Sequence, residues 1–189
     1  MMDTVDALKV LAQYRKNEVV IPAMTSNQTW QTISSHELDL PLSGCMGKAS
    51  SLALGLAIAR PDVPIWVIDG DGSLLNNLGT LVTIGNLAPP NLVHFVLHNG
   101  VYQVSGGQPI PGEGKFTFCA LAQAAGYRSV HVVDDLEDLK LRLPALLATP
   151  KPALVCLDVK PGKERIGRSM ASTAKSLPRV KALLAKSKP

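Results

Sequence analysis

A chain of 189 residues that is 46% hydrophobic and 18% charged carries enough apolar mass for one filled core, which excludes a disordered or fibrous protein. The formal charge of +4 is modest, and nine of the 19 lysines and arginines crowd residues 160–188 without interleaved aromatics, so nucleic-acid binding is not expected. No apolar run approaches the ~20 residues of a membrane span, and Cys45, Cys119 and Cys156 stand at no zinc or iron–sulfur spacing. No membrane association and a cytoplasmic location are therefore expected.

Val5, Leu8, Leu11 and Ala12 recur at helical spacing, which predicts an amphipathic helix over residues 3–14. A short strand over 18–22 follows, stopped by Pro22. Residues 26–40 are polar and turn-rich, with at most one helical turn around 32–38. Ser43-Gly44-Cys45-Met46-Gly47 breaks the chain, and residues 48–59 form a helix rich in alanine, serine and glycine. A strand over 65–68 then leads into Asp69-Gly70-Asp71-Gly72-Ser73, a helix over 74–87, and a strand over 92–97 that ends at His98-Asn99-Gly100. Residues 104–115 hold too many glycines and prolines for a regular element and should be a surface loop. A helix over 116–126, a strand over 129–133, a helix over 135–149 and a last strand over 153–159 complete the pattern. Strands alternating with helices of this length predict right-handed βαβ units. The expected fold is α/β, three layers around a mostly parallel central sheet over residues 1–165, with a basic, partly flexible tail over 166–189.

Two spots carry chemistry. Glycines on both sides of Asp71 permit a tight turn that brings backbone N–H groups to a ligand, and the following helix presents its N-terminus there. A bare carboxylate would repel phosphate, unless a divalent cation lies between them and dominates the local field. Taken alone, the tetrapeptide is also what a capped strand-to-helix turn looks like. Asn99 alters that reading, because it follows Asp71 by one helix, one turn and one strand. Both residues should therefore sit at the carboxyl ends of neighbouring strands, where open α/β sheets bind ligands. Carboxylate and amide oxygens converging there suit magnesium.

Gly-Asp-Gly-Ser followed at this distance by Asn-Gly resembles the diphosphate-binding fingerprint of thiamine-diphosphate enzymes. Gly44-Cys45-Met46-Gly47-Lys48-Ala49-Ser50-Ser51, Asp69 to Leu75, Pro90-Asn91-Leu92-Val93-His94 and Asn99-Gly100-Val101-Tyr102 with Ser105-Gly106-Gly107-Gln108 are similar to one branch in particular. That branch is the carboxyl-terminal half of phosphonopyruvate and sulfopyruvate decarboxylases. The resemblance implies that Asp71, Asn99 and the Val101 carbonyl hold Mg²⁺. It places Gly70, Gly72 and Ser73 at the diphosphate, with Tyr102 in the same loop as Val101. It places Gly44, Cys45 and Met46 at the aminopyrimidine, with the Gly44 carbonyl accepting from the 4′-amino group and Met46 propping the cofactor into its bent form. The cofactor is the electron sink and the protein supplies geometry and electrostatics.

His98 stands where relatives often carry Asn or Asp, and Val104 where some carry Thr. Cys45 reads as a packed thiol, and His36, His94 and His131 as ordinary surface or strand residues. Ser105, Gln108 and Lys115 mark the 104–115 loop as a flap over substrate. Family members need a glutamate from a pyrimidine-binding domain, and Glu18, Glu37, Glu113, Glu137 and Glu164 flank no matching motif. The chain thus resembles the β subunit of a split sulfopyruvate decarboxylase. Its implied partner is a pyrimidine-binding α subunit that supplies the activating glutamate, in a homo-dimer or hetero-tetramer acting on a small anionic 2-oxo acid. Two alternatives remain open: a non-catalytic cofactor-binding subunit, and the β subunit of another thiamine-diphosphate enzyme of the 2-oxoacid oxidoreductase or acetolactate-synthase kind.

Overall fold

A computed structural model describes residues 1–34, 36–162 and 172–186. Short runs rich in Val, Ile, Leu and aromatics form the strands β1 (Val19–Pro22), β2 (Ile65–Gly70), β3 (Leu92–His98), β4 (Val101–Tyr102), β6 (Ser129–Val133) and β7 (Ala153–Asp158), while the exposed Gln108–Pro109 forms β5. Five of them make one parallel sheet in the order β1-β2-β3-β7-β6, while β4 and β5 pair as a small antiparallel ribbon. The helices are α1 (Thr4–Tyr14), α2 (Met24–Ile33), α3 (Ala49–Ala59), α4 (Asp71–Leu75), α5 (Thr80–Leu87), α6 (Phe118–Ala124), α7 (Leu136–Ala148) and α8 (Thr173–Lys186).

The central strands are buried on both faces, as a sheet covered by helices on each side requires. Side chains alternate between two cores. Ile65, Val67, Leu92, Val96 and Leu154 pack with Ala53, Ala57, Ile84, Ala122 and Val180 from α3, α5, α6 and α8. Trp66, Ile68, Val93, Phe95 and Leu157 pack with Leu8, Leu11, Trp30, Leu139 and Leu143 from α1, α2 and α7. Each fully buried Val, Leu, Ile or Phe among them contributes about 1.5–3 kcal/mol. The layers are therefore helices, sheet, helices. The register sets Gly70 beside Leu97 and His98 beside Asp158, so β2, β3 and β7 end level at one edge of the sheet.

The structure departs from the sequence reading in four places. Residues 26–33, expected as turns, belong to helix α2 (residues 24–33), where the polar side chains of Ser26, Asn27 and Thr29 are buried and bonded. Ser26 Oγ lies 2.6 Å from the Ala23 carbonyl and 2.7 Å from that of Ile68, while Trp30 Nε1 donates to Asp39 Oδ1 at 3.0 Å. Arg15 also donates to Asp39, so this polar face looks inward. The single helix expected over 74–87 is two, α4 and α5, because Asn76 Nδ2 donates to the Gly72 carbonyl (2.6 Å) and Asn77 Nδ2 to that of Gly47 (2.9 Å). The expected loop 104–115 lies partly within the β4–β5 ribbon, with a 3-10 turn at Gln103–Ser105.

Finally, much of the tail expected to be flexible is helix α8, with Ser176, Val180 and Leu184 buried. Arg179 donates to the carbonyls of Glu37 and Asp39, and Thr173 to that of Pro41. Residues 163–171 and 187–189 lie outside the described residues. No helix among the described residues is long and apolar enough to cross a membrane.

Candidate cofactor site

Three loop tips meet at the level edge of the sheet. β2 hands the chain to α4 through Gly70 and Asp71, and the Asp71 carboxylate points at the tip beyond β3. Its Oδ2 accepts from the backbone N–H groups of Asn99 (2.8 Å) and Gly100 (2.7 Å), and its Oδ1 from that of Gly72 (2.6 Å). Burial raises the Asp71 carboxyl above its ordinary range, against these three amides and the nearby His98. Asn99 Oδ1 accepts from Val101 N–H at 3.0 Å and its Nδ2 donates to Gln103 Oε1 at 3.0 Å, which fixes the amide's orientation. The third tip is the Gly44–Gly47 turn, joined to the first because Ser73 Oγ accepts from Gly47 N–H at 3.0 Å.

Glycine at position 72 is required by packing: a Cβ there would lie 2.6 Å from ring carbons of Tyr102. Gly100, at φ +74°, occupies left-handed backbone that turns the second tip back toward Asp71.

The tips border a cleft of about 470 Å³. Of the residues expected in the site, Met46, Gly70, Asp71, Gly72, Ser73, Asn99, Val101 and Tyr102 line it. Gly44 and Cys45 sit on the same turn as Met46 but outside the cleft wall, and so do Ser105 and Gln108 of the flap. Cys45 is exposed, so the expected packed thiol is not found. The opposite wall went unread in the sequence: Met24, Thr25 and Thr29 of α2, Asp3 to Val5 at the start of α1, and Val159 to Gly162 beyond β7. The start of α2 gave no capping-box signal in the sequence, because Ala23 has no side-chain acceptor; only the N3 half of the box forms, with Ser26 Oγ accepting from Ala23 N–H.

Two buried groups lie behind the tips. Asp69 faces the helical layer of α3 and α5, where burial pushes its carboxyl up to about 6 and Oδ2 has no hydrogen-bond partner. Its nearest base is His94 Nε2 at 3.9 Å, and burial pushes that imidazole down to about 4. His94, expected as an ordinary strand residue, is fully enclosed and neutral, with Nδ1 3.2 Å from the Tyr127 hydroxyl. His98 differs. Burial works against its charge, but Asp158 and Glu113 outweigh burial and hold it above the ordinary imidazole value. His98, Cys156 and Asp158 each bring one possible ligand atom within 4.8 Å of the others. Burial keeps the Cys156 thiol protonated, which makes it a poor ligand.

The donors at the tips are hard oxygens: a carboxylate already neighboured by N–H groups, an amide oxygen with a free lone pair, and the carbonyl of Val101. That set fits Mg²⁺. Among the N–H groups that open α4, that of Gly72 is taken by Asp71 Oδ1, and the others, which have no backbone acceptor inside the helix, suit a diphosphate.

Residues 21–157 match the family model described as "Thiamine pyrophosphate enzyme, C-terminal TPP binding domain". The chain belongs to that family. This thiamine-pyrophosphate-binding chain is 37% identical over 178 residues to a phosphonopyruvate decarboxylase of Streptomyces viridochromogenes, covering 93% of itself and 44% of that relative. It therefore spans less than half of that curated relative. It is 31% identical over 163 residues to a sulfopyruvate decarboxylase subunit beta of Methanothermobacter thermautotrophicus, with 86% and 84% covered. A solved structure of an enzyme from Mycobacterium smegmatis, described as thiamin diphosphate-dependent, matches with a TM-score of 0.71 over 85% of this chain and 32% of that one. At 20% identity it speaks for the fold alone.

Proposed function

We propose that the chain is the diphosphate-binding subunit of a heteromeric, Mg²⁺- and thiamine-diphosphate-dependent decarboxylase acting on sulfopyruvate or phosphonopyruvate-like 2-oxo acids. The observation that carries this reading is the reach of Asp71 Oδ2 to the amides of Asn99 and Gly100, which brings two tips distant in sequence to one point. Asp71, Asn99 and the Val101 carbonyl would hold the metal, with Gly72 and Ser73 at the diphosphate and Met46 beneath the aminopyrimidine. When bound, thiamine diphosphate supplies the carbon nucleophile and electron sink for decarboxylation. The chain orients it: the amides on Asp71 aim the carboxylate and work against the burial that favours its protonated form, and Gly72 keeps the Tyr102 ring seated against the turn.

Two features support a partner. The described walls of the cleft carry no glutamate to activate the aminopyrimidine, so a pyrimidine-binding α subunit would supply it. One similar protein is named subunit beta, and this chain covers 84% of it. The substrate class is supported by Lys160, the only cationic side chain among the described residues on the cleft wall, where it suits a second anionic group. The test is turnover of a panel of 2-oxo acids by the chain alone and by the chain purified with its partner. Activity that needs the partner, Mg²⁺ and the cofactor together, and prefers doubly anionic acids, is expected. Appreciable turnover by the chain alone would refute the half-site reading.

A further inference from the structure

The flap that follows the second tip is held by a residue that belongs to no motif. Residues 103–116 leave Asn99 through the β4–β5 ribbon, with Gly107 N–H donating to the Tyr102 carbonyl and Ile110 N–H to that of Gly100. Ile110 is buried, and a Cβ on Gly72 would lie 3.5 Å from its Cγ2, so the flap's middle is anchored behind the first tip. Beyond it, Glu113 turns back. Its Oε2 lies 3.1 Å from His98 Nε2, and its carboxyl carbon would be 3.4 Å from a Cβ on Gly100. The imidazole cannot swing away, because its Nδ1 lies 2.9 Å from Asp158 Oδ1 on the next strand and its ring meets Phe118 edge-on at 5.7 Å. His98 thus joins three segments, the flap, the β3 tip and the end of β7, one residue before Asn99.

We propose that Glu113 is a positioning residue: by gripping His98 across the strand end, it latches the flap onto the Asn99–Val101 tip and holds that tip in its receiving geometry. A carboxylate is suited to this task because it reaches a ring nitrogen that Asp158 has already oriented. It does so without filling the cleft, whose walls do not include it. The part of the inference that concerns the cofactor rests on the proposed function; the latch itself does not.

Hydrogen exchange of the Gly107, Ile110 and Lys115 amides tests the latch on the chain without cofactor. Glu113→Ala should speed their exchange about fivefold, the loss of one half-exposed charged contact. It should also weaken Mg²⁺-dependent thiamine diphosphate binding several-fold by calorimetry. Glu113→Gln, which can still meet Nε2, should restore both. His98→Ala should match Glu113→Ala, and the double variant should be no worse than His98→Ala, as for two residues acting as a unit. Unchanged exchange in Glu113→Ala, or Glu113→Gln behaving like it, would overturn the latch. Faster exchange with unaltered cofactor affinity would overturn the positioning role. If the unmodified chain bound no cofactor, the proposed function would fail while the exchange measurement still judged the latch.

Discussion

Asp69 and Asp71 are two residues apart on one turn, yet they live in opposite environments. Asp69 is still within the pleat of β2, so its side chain enters the helical layer, with one oxygen unpartnered and an imidazole just beyond hydrogen-bond reach. Asp71 lies one residue past the strand, where the chain has begun to turn, and its oxygens collect N–H groups from two loops. A carboxylate becomes a candidate ligand when the backbone around it supplies donors and leaves lone pairs facing a cleft. Burial raises both carboxyls, and it does so more strongly at Asp69, where one oxygen finds no donor.

Four substitutions break or sharpen that contrast. Asp71→Ala should act most strongly, reducing Mg²⁺-dependent thiamine diphosphate affinity by about 100-fold or more. It should also cost about 1–3 kcal/mol of stability, because the Asn99 and Gly100 amides lose their acceptor. Unchanged affinity by calorimetry would remove Asp71 from the proposed ligand set. Gly72→Ala should destabilise by about 1–3 kcal/mol, since the added methyl overlaps the Tyr102 ring; a melting temperature equal to that of the unmodified chain would contradict that close approach. Ser73→Ala leaves Gly47 N–H without its acceptor, so thermal unfolding should reveal a loss of about 1 kcal/mol, with cofactor affinity reduced several-fold. Asp69→Asn should have the smallest effect. It removes a buried formal charge and points an N–H toward His94 Nε2, so stability should hold or rise by up to about 1 kcal/mol with cofactor affinity changed less than threefold. A large loss of affinity there would mean that Asp69 does more than line the core.

The tips were legible because strand ends announce themselves. An apolar run such as Ile65 to Ile68 followed by alternating glycines leaves little choice about where the chain turns. A second such run set the distance to Asn99. The opposite wall of the cleft was not legible. Helix α2 hides behind Ser26, Asn27 and Thr29, whose polarity suggests exposure although all three are buried. Helix α8 was obscured in the same way by a basic surface around Val180 and Leu184. Glu113 carried no motif, and only the return of the flap brings it to His98.

Local patterning was enough to specify the alternation of strands and helices, the parallel sheet it implies, and the turns that bear Asp71 and Asn99, because hydrophobic period and glycine placement act over a few residues. Which polar side chains turn inward, where the basic end of the chain packs, and which carboxylate grips which imidazole were settled only by tertiary structure. Those outcomes depend on partners many residues away in sequence, and burial reverses the preference a polar side chain shows in water.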